Sequence, residues 1–275
     1  MKTFPPAILL ALLLCSPYLR AQTVNDSVIL VGHSGSVNRA SFNANGTRLI
    51  TAGADGTARI WDAETGKKLW HWWVVPGDPA KGFEQPELEW AAKTWKGDWW
   101  KTGGCGTPWD GILYDPVTDL VIFGTGNGAP WPAEVRSPGG GDNLFTSSIV
   151  AVEAKTGKYR WHFQHTHHDI WDYGGANPVI LFDVDIRGEP RKGISHAPKS
   201  GYVYILDRVT GKPLVGIEER PVPQNASQKT SPTQPIPVGD DVMPHSMDAG
   251  LENLELVNEG RTFTPFDEKP VLYKQ

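Results

Sequence analysis

Four side chains with chemically useful groups lie close to glycine-rich turns in this sequence. They are Trp109, Asn127, Asp172 and Lys199. A carboxylate can take a proton as a general base, and a tryptophan face can hold a flat, electron-poor ring. An amide oxygen can bind a hard cation, and an ammonium group can stabilise an anion. Three of them also have a plain structural explanation, which is core filling for the tryptophan and turn formation for the asparagine and the lysine.

The elements that would position these groups are short strands. The chain has 275 residues, of which 30 are glycine, 23 are proline and 12 are tryptophan. This composition favours strands joined by turns, with aromatic side chains between the sheets. Thr-Gly-Lys occurs at residues 65–67, 156–158 and 210–212, as expected of repeated hairpins. Residues 86–95 predict a short helix. The sequence therefore predicts an all-β architecture.

The N-terminal residues predict export from the cytoplasm. Lys2 precedes an apolar run from Ala7 to Cys15, and Ala21 ends an approximate cleavage site, so residues 1–21 match a signal peptide. The run is too short to span a bilayer, and we expect no transmembrane segment in the mature chain. The protein is therefore expected to be periplasmic or secreted. A net charge of −5 without a basic run argues against a nucleic-acid partner.

Residues 28–70 contain one copy of a repeat pattern. Gly-His at 32–33 opens the pattern, Asp-Gly at 55–56 marks a tight turn, and Trp-Asp at 61–62 closes it. The segment resembles a single WD40 repeat, which is one four-stranded propeller blade. The resemblance implies a hydrogen-bonded set with an architectural role. Its members are His33, Thr51, Asp55 and Trp61.

Three further motifs carry a second resemblance. They are Gly-Gly-Cys-Gly-Thr-Pro-Trp-Asp-Gly at 103–111, Gly-Thr-Gly-Asn-Gly at 124–128 and Trp-Asp-Tyr at 171–173. In this order they resemble the quinoprotein alcohol dehydrogenases of the methanol and ethanol type, which use pyrroloquinoline quinone (PQQ) and calcium. We assign residues 71–216 to such a propeller segment. That family closes a ring of about eight blades, whereas the recurrences here indicate about four. We therefore expect a partial β-propeller of four-stranded blades from a truncated or rearranged relative.

This resemblance implies roles for five residues. Thr107, Trp109 and Lys199 would bind PQQ, while Asn127 and Asp172 would bind the metal. Asp172 would also act as the general base, taking the alcohol proton as hydride passes to the quinone. Family spacing favours Asp172 over its competitor Asp169. Lanthanide-using relatives carry an extra aspartate where this chain has Gly174, so calcium is the expected metal.

The implied function is PQQ- and calcium-dependent oxidation of a primary alcohol to an aldehyde, an activity that an incomplete propeller would impair. The substrate would be a small alcohol, and the electron acceptor would be a cytochrome c. The alternative is a non-catalytic, propeller-type protein-binding module whose working part is the WD40-like blade. A binding module does not need Asn127 and Asp172 to converge. Their placement therefore discriminates between the two interpretations.

The sequence also departs from this family. Relatives cover the second face of the quinone with a disulfide between adjacent cysteines and supply a calcium-binding glutamate, both from blades that precede the matched segment. The cysteines here are Cys15 and Cys105, which are not adjacent. We expect Cys105 to be a small buried side chain, because no activating base lies near it in sequence. Open sheet edges of a partial propeller favour self-association.

The histidine cluster is expected to carry no chemistry, and the C-terminal segment is expected to be irregular. The histidines at 162, 165, 167 and 168 have a spacing that matches no closed four-ligand zinc pattern. Residues 217–275 are rich in proline, and we expect an irregular tail with a composition typical of disordered chains.

Overall fold

The computed structural model of the chain describes residues 23–24, 27–43 and 45–239. The expected signal peptide, residues 1–21, and the last part of the expected tail, residues 240–275, lie outside the described residues. Within the described part, no helix is long and apolar enough to cross a membrane.

Short strands account for most of the described secondary structure. In chain order they are β1 Thr23–Val24, β2 Ser27–Val28, β3 Val37–Phe42, β4 Arg48–Gly53, β5 Thr57–Asp62, β6 Lys68–Trp73, β7 Gly104–Cys105, β8 Ile112–Asp115, β9 Leu120–Gly124, β10 Gly128–Ala129, β11 Ser148–Glu153, β12 Tyr159–Gln164, β13 Ile180–Ile186, β14 Glu189–His196, β15 Tyr204–Asp207, β16 Ile217–Pro221 and β17 Thr233–Pro237. The helices are α1 Glu87–Ala91, α2 Trp99–Thr102 and α3 Ala133–Arg136, with 3₁₀ turns at Pro79–Lys81 and Ala92–Thr94. The helix predicted within residues 86–95 is confirmed.

Three antiparallel sheets, which we call blades 1, 2 and 3, make up the body of the fold. Blade 1 has the order β3-β4-β5-β6, blade 2 has β8-β9-β11-β12, and blade 3 has β13-β14-β15. The pairs β1-β2, β7-β10 and β16-β17 accompany them. The all-β fold and the partial propeller are confirmed. In place of the predicted four or so four-stranded blades, the described residues form two with four strands and one with three.

Blade 2 is buried on both faces because its apolar side chains alternate along each strand. Val121 and Phe123 point into the core shared with blade 1 and α1. Ile122, between them in sequence, points into the core shared with blade 3, together with Ile149 of the neighbouring strand. Blade 2 is therefore the central layer that fixes the other two blades relative to each other.

A repeated contact joins consecutive blades. The indole of Trp70 in β6 lies against the turn at Gly157 and donates its Nε1–H to the Ala154 carbonyl at 3.1 Å. The indole of Trp161 in β12 lies in the same way against the turn at Gly211 and donates to a main-chain carbonyl at 3.2 Å. In both cases the tryptophan of one blade therefore packs on the Thr-Gly-Lys turn of the next blade.

The tryptophan contact is replaced at the first Thr-Gly-Lys turn and after the third. The turn at Gly66 in blade 1 is covered by the side chains of Val28 and Leu30. After the third Thr-Gly-Lys turn, Val215 occupies the sequence position that Trp161 has in the preceding repeat, and it is exposed. The indole contact is therefore made twice within the described residues.

Gly157→Ala is expected to destabilise the protein more than Gly188→Ala. Both glycines have positive φ, 73° and 83°. An added Cβ would lie 2.7 Å from the Trp70 ring at Gly157 but meets nothing within 4 Å at Gly188. Gly188→Ala should cost about 1–2 kcal/mol through φ alone. Gly157→Ala should cost about 1–3 kcal/mol more through overpacking. Urea unfolding of both variants measures the difference, and equal losses would contradict the seating of the indole.

The hydrogen-bonded set predicted in blade 1 is present. His33 lies 3.0 Å from a carboxylate oxygen of Asp55 and 2.7 Å from the hydroxyl of Thr51. Trp61 donates its Nε1–H to the same hydroxyl at 2.8 Å, and Arg59 binds Asp55 at 2.9 Å. Burial raises the pKa of Asp55, but hydrogen bonds, the strongest from His33, outweigh burial and hold that pKa well below its ordinary value. The set fixes the segment carrying His33 over one face of blade 1, which is an architectural role.

A hairpin formed by β16 and β17 shows that the prediction of an irregular tail is wrong for residues 217–237. The register pairs Glu219 with Pro235. Proline has no backbone N–H to donate, and it is tolerated in an edge strand because the N–H groups on the open side of such a strand have no partner strand. The side chain of Gln234 accepts from the N–H of His167 and donates to its carbonyl, both at 2.8 Å. The hairpin therefore packs on the loop that follows β12.

Candidate functional site

Loops at one end of the blades bring the predicted residues together. Residues 103–111 lead into β8, 125–147 connect β9 to β11, 165–179 connect β12 to β13, and 197–203 connect β14 to β15. Because neighbouring strands are antiparallel, these loops lie at the same end of their blades. The candidate site is built from them.

Asp172 and Lys199 form an ion pair between two of these loops. The Lys199 Nζ lies 2.9 Å from the Asp172 Oδ2. The side chains are 28% and 48% exposed, so a small molecule can reach both. Asp172 has a φ of 64°, in the left-handed region that few residues other than glycine adopt. Such backbone persists only where the surroundings hold it, and it is concentrated at functional sites.

Asp169 holds the turn that carries Asp172. One carboxylate oxygen accepts the N–H groups of Trp171 and Tyr173, both at 3.0 Å, and the other accepts the Ser147 hydroxyl at 2.8 Å. Burial raises the pKa of the Asp169 carboxyl, and these hydrogen bonds offset part of the rise. Since both oxygens are engaged and the side chain is buried, Asp169 is a supporting residue. The geometry favours Asp172 as the carboxylate that could take a substrate proton.

Thr107 and Trp109 lie against the backbone of Gly126. The Gly126 N–H donates to the Thr107 carbonyl at 3.1 Å. A Cβ added at Gly126 would lie 3.1 Å from the indole Nε1 of Trp109. Trp109 is nevertheless 42% exposed, so it does not serve as a core filler. The loop offers a flat aromatic surface to solvent at the site.

Asn127 lies beside the turn that carries Asp172. A Cβ added at Gly174 would lie 2.5 Å from the Asn127 backbone N, so the two segments are in contact. The Asn127 Nδ2 donates to the Gly128 carbonyl at 3.1 Å, which leaves the amide oxygen as the group suited to a cation. The segments that carry Asn127 and Asp172 therefore converge, as the catalytic interpretation requires and a binding module does not.

The donor set for a metal is small. Nowhere in the described ranges do three His, Cys, Asp or Glu side chains lie together in a way that could hold a metal ion. Asn127 and Asp172 offer oxygen atoms, which suit a hard cation that takes six to eight such ligands. A cation at this point would need the remaining oxygens from a bound cofactor or from water.

Arg136, in α3, is a residue that the sequence analysis missed. Its buried guanidinium donates from Nη1 to the carbonyls of residues 128, 130 and 131, at 3.4, 3.1 and 3.0 Å. Nε donates to the Asn143 Oδ1 at 3.2 Å, and Nη2 donates to the Asp169 carbonyl at 2.7 Å. Burial lowers the pKa of this guanidinium. Because most of its acceptors are main-chain carbonyls, no motif in the sequence marks it.

The four clustered histidines have separate environments. His162 contacts the Tyr159 hydroxyl at 2.8 Å, whereas His167 contacts Glu219 at 3.0 Å. Both ring nitrogens of His168 face main-chain carbonyls, at 2.7 and 2.9 Å. His165 packs against His196, with ring centroids 5.4 Å apart. Each of the four histidines therefore contacts a different partner.

Cys105 is exposed, so the prediction that it is buried is wrong. Its φ of 60° places it in the left-handed region, in a run where Gly104 and Gly106 also have positive φ. Alternation along an extended strand does not hold in such a turn, and the side chain is directed to solvent. Its Sγ lies 3.8 Å from the Thr107 hydroxyl.

Residues 22–270 match the family model described as the PQQ-dependent glucose, ethanol and alcohol dehydrogenase β-propeller domain. The quinohemoprotein alcohol dehydrogenase of Comamonas testosteroni is 50% identical over 169 residues, which cover 61% of this chain and 24% of that protein. Quinohemoprotein alcohol dehydrogenase ADH IIB of Pseudomonas putida is 53% identical over 168 residues, with the same coverage of 61% and 24%. The chain therefore spans about a quarter of the length of these curated relatives.

Solved structures of such dehydrogenases also superpose on this chain. The crystal structure of the Comamonas testosteroni enzyme superposes with a TM-score of 0.62 at 42% identity, covering 73% of this chain and 31% of that one. A europium-containing methanol dehydrogenase superposes with a TM-score of 0.54 at 29% identity, covering 75% and 37%.

Proposed function

Because the chain belongs to the family of PQQ-dependent glucose, ethanol and alcohol dehydrogenase β-propellers, we propose that it acts in the PQQ- and calcium-dependent oxidation of a primary alcohol to an aldehyde. The observation that carries this proposal is the accessible ion pair of Asp172 and Lys199, 2.9 Å apart, in a turn that touches the Asn127 segment. A structural ion pair needs neither the left-handed backbone at Asp172 nor an adjoining oxygen ligand.

The residues of the site suit PQQ and a metal ion. The exposed indole of Trp109 can support a flat ring, and the Lys199 ammonium can stabilise negative charge at the ring edge. Asn127 and Asp172 supply oxygen atoms for the cation. When bound, PQQ supplies a two-electron acceptor and the cation polarises the quinone. Every other function of the site falls to the chain's own side chains.

The exposure and contacts of Asp172, Lys199 and Asp169 indicate a different role for each side chain. Asp172 is exposed enough to meet an alcohol hydroxyl and can accept its proton at Oδ2 or Oδ1. Lys199 orients this carboxylate and keeps a positive charge beside it. Asp169 is buried and holds the turn, so it maintains the left-handed backbone at Asp172.

Calcium is the metal we propose for this site. Lanthanide-using relatives place an extra aspartate at the position of Gly174, where any Cβ would lie 2.5 Å from the Asn127 backbone N. A side chain there requires a shift of the Asn127 segment. With two side-chain oxygen donors and a single carboxylate between them, a divalent hard cation is the better electrostatic match.

PQQ binding is the first test of this function. We expect added PQQ to quench tryptophan fluorescence in the presence of calcium and not after chelation. Trp109→Leu should abolish most of the quenching, since its 42% exposed indole is the proposed contact. Trp90→Leu is the matched control, because it removes an indole of 37% exposure from α1. Quenching that survives in Trp109→Leu, or none in the folded wild type, would refute this site and favour the protein-binding alternative.

Location and partners complete the proposal. Residues 1–21 support export to the periplasm or beyond. A small alcohol is the proposed substrate, and a cytochrome c is the proposed electron acceptor by analogy with the family. Self-association through sheet edges is also proposed, because β3 and β13 lie at the ends of their sheets.

A further inference from the structure

Arg136 connects the two segments on which the proposed metal and base residues stand. Three of its hydrogen bonds go to carbonyls at 128, 130 and 131, which directly follow Asn127. Another, the shortest at 2.7 Å, goes to the carbonyl of Asp169 in the turn that carries Asp172. The guanidinium is thus a bridge between residues far apart in the sequence.

The surroundings of Arg136 leave it little freedom. A Cβ added at Gly128 would lie 2.6 Å from its Cδ, so the side chain packs directly on the strand β10. The side chain is almost fully buried, with 1% of its surface exposed. A fully buried guanidinium is costly unless every N–H is satisfied, and its planar fork can satisfy several fixed acceptors at once. Lysine has three rotatable donors and no fork, so it cannot reproduce this pattern.

We propose that Arg136 is a positioning residue that fixes the segment carrying Asn127 against the turn carrying Asp172, and thereby sets the affinity of the site for the cation and its cofactor. The acceptors of Arg136 are main-chain carbonyls and the Asn143 side chain, so Arg136 acts on Asn127 and Asp172 through their backbone segments. The inference about affinity rests on the proposed function, whereas the mechanical bridge rests on the hydrogen bonds alone. The two parts can therefore fail separately.

Amide hydrogen exchange in the protein without cofactor tests the bridge. In Arg136→Lys, the amides of residues 126–129 and those of Trp171 and Tyr173 should exchange about ten-fold faster or more, because each segment loses a hydrogen bond to a charged group. The amides of blade 3 should be unchanged. Arg208→Lys is the matched control, since Arg208 is also buried but bonds to Asp115 and Asp183. Faster exchange in one segment alone, or everywhere equally, would overturn the bridge.

The wild-type protein provides a second measurement should Arg136→Lys fail to fold. In low concentrations of denaturant, amides that share one opening event exchange with the same free energy and the same denaturant dependence. We expect the amides of 126–129 to match those of Trp171 and Tyr173. Independent opening of the two segments would contradict the proposal without any substitution.

Cofactor titration tests the consequence for binding. With calcium present, Arg136→Lys should bind PQQ about 10–100-fold more weakly than the wild type, as expected when the partner of a ligand-bearing segment is lost. Unchanged affinity alongside faster exchange would refute the link to binding. If the wild type binds no PQQ, the proposed function fails while the exchange data still decide whether Arg136 is the bridge.

Discussion

Asp172→Asn is expected to lower the turnover of a primary alcohol by about 10²–10⁴-fold, the range for loss of a general base. Asparagine keeps the volume and one side-chain oxygen, and it tolerates the φ of 64° at this position better than most residues. The variant should therefore fold, but it loses the one carboxylate proposed to bind the metal, so PQQ and calcium are supplied in excess to offset weaker calcium binding. Steady-state reduction of an artificial electron acceptor, with both present in excess, measures the turnover.

Two further variants make this result specific. Asp98→Asn, an exposed carboxylate paired with Lys101 outside the site, should leave turnover unchanged. Asp169→Asn should lower thermal stability as well as turnover, because a buried acceptor of three hydrogen bonds is altered. If Asp172→Asn kept more than about a tenth of wild-type turnover, a proton-accepting role for Asp172 would be excluded.

Arg208→Ala is expected to destabilise the protein by about 3–5 kcal/mol, the usual effect of leaving a buried charge without its partner. Arg208 binds Asp115 of blade 2 at 2.8 Å and Asp183 of blade 3 at 2.8 Å. The Asp115 side chain is 1% exposed, so water cannot replace the guanidinium. For a domain of this size the loss corresponds to a fall in Tm of about 6–20 °C, measurable by calorimetry.

Arg220→Ala is the matched control for this prediction. Arg220 pairs with Glu218 at 3.0 Å, but both side chains are exposed, so the pair should contribute little. We expect a change within about 0.5 kcal/mol. Similar losses for the two arginine variants would show that the contact between blades 2 and 3 is held by apolar packing alone.

Local patterns account for what the sequence could predict. The Thr-Gly-Lys turns, the helix within 86–95 and the hydrogen-bonded set around His33 each depend on residues close in sequence or fixed by one repeat. The site residues were predicted instead from the resemblance of short sequence motifs to those of the quinoprotein alcohol dehydrogenases. Their roles remain predictions, while the structure shows that their segments meet.

Tertiary contacts account for what the sequence missed. The β16-β17 hairpin contains prolines that argue against strands, but Gln234 and its contact with His167 stabilise it on the fold. Arg136 has no motif, because its acceptors belong to the backbone of segments that only the fold brings together. Asp169 does have a local signal, because an aspartate often accepts hydrogen bonds from backbone N–H groups a few residues later in a turn. Here its side chain accepts from the N–H groups of Trp171 and Tyr173.

The first and third Thr-Gly-Lys repeats differ from the second in their tryptophan contacts, so the two ends of the row of blades are not equivalent. This contact could join two copies head to tail only if an indole from the last described blade of one copy reached the turn at Gly66 of the next. That seat is already filled by Val28 and Leu30, and the last repeat presents Val215 instead of an indole. Polymer growth by this contact is therefore terminated at both ends. Self-association of this chain would therefore have to use a surface other than this indole contact, such as the sheet edges at β3 and β13.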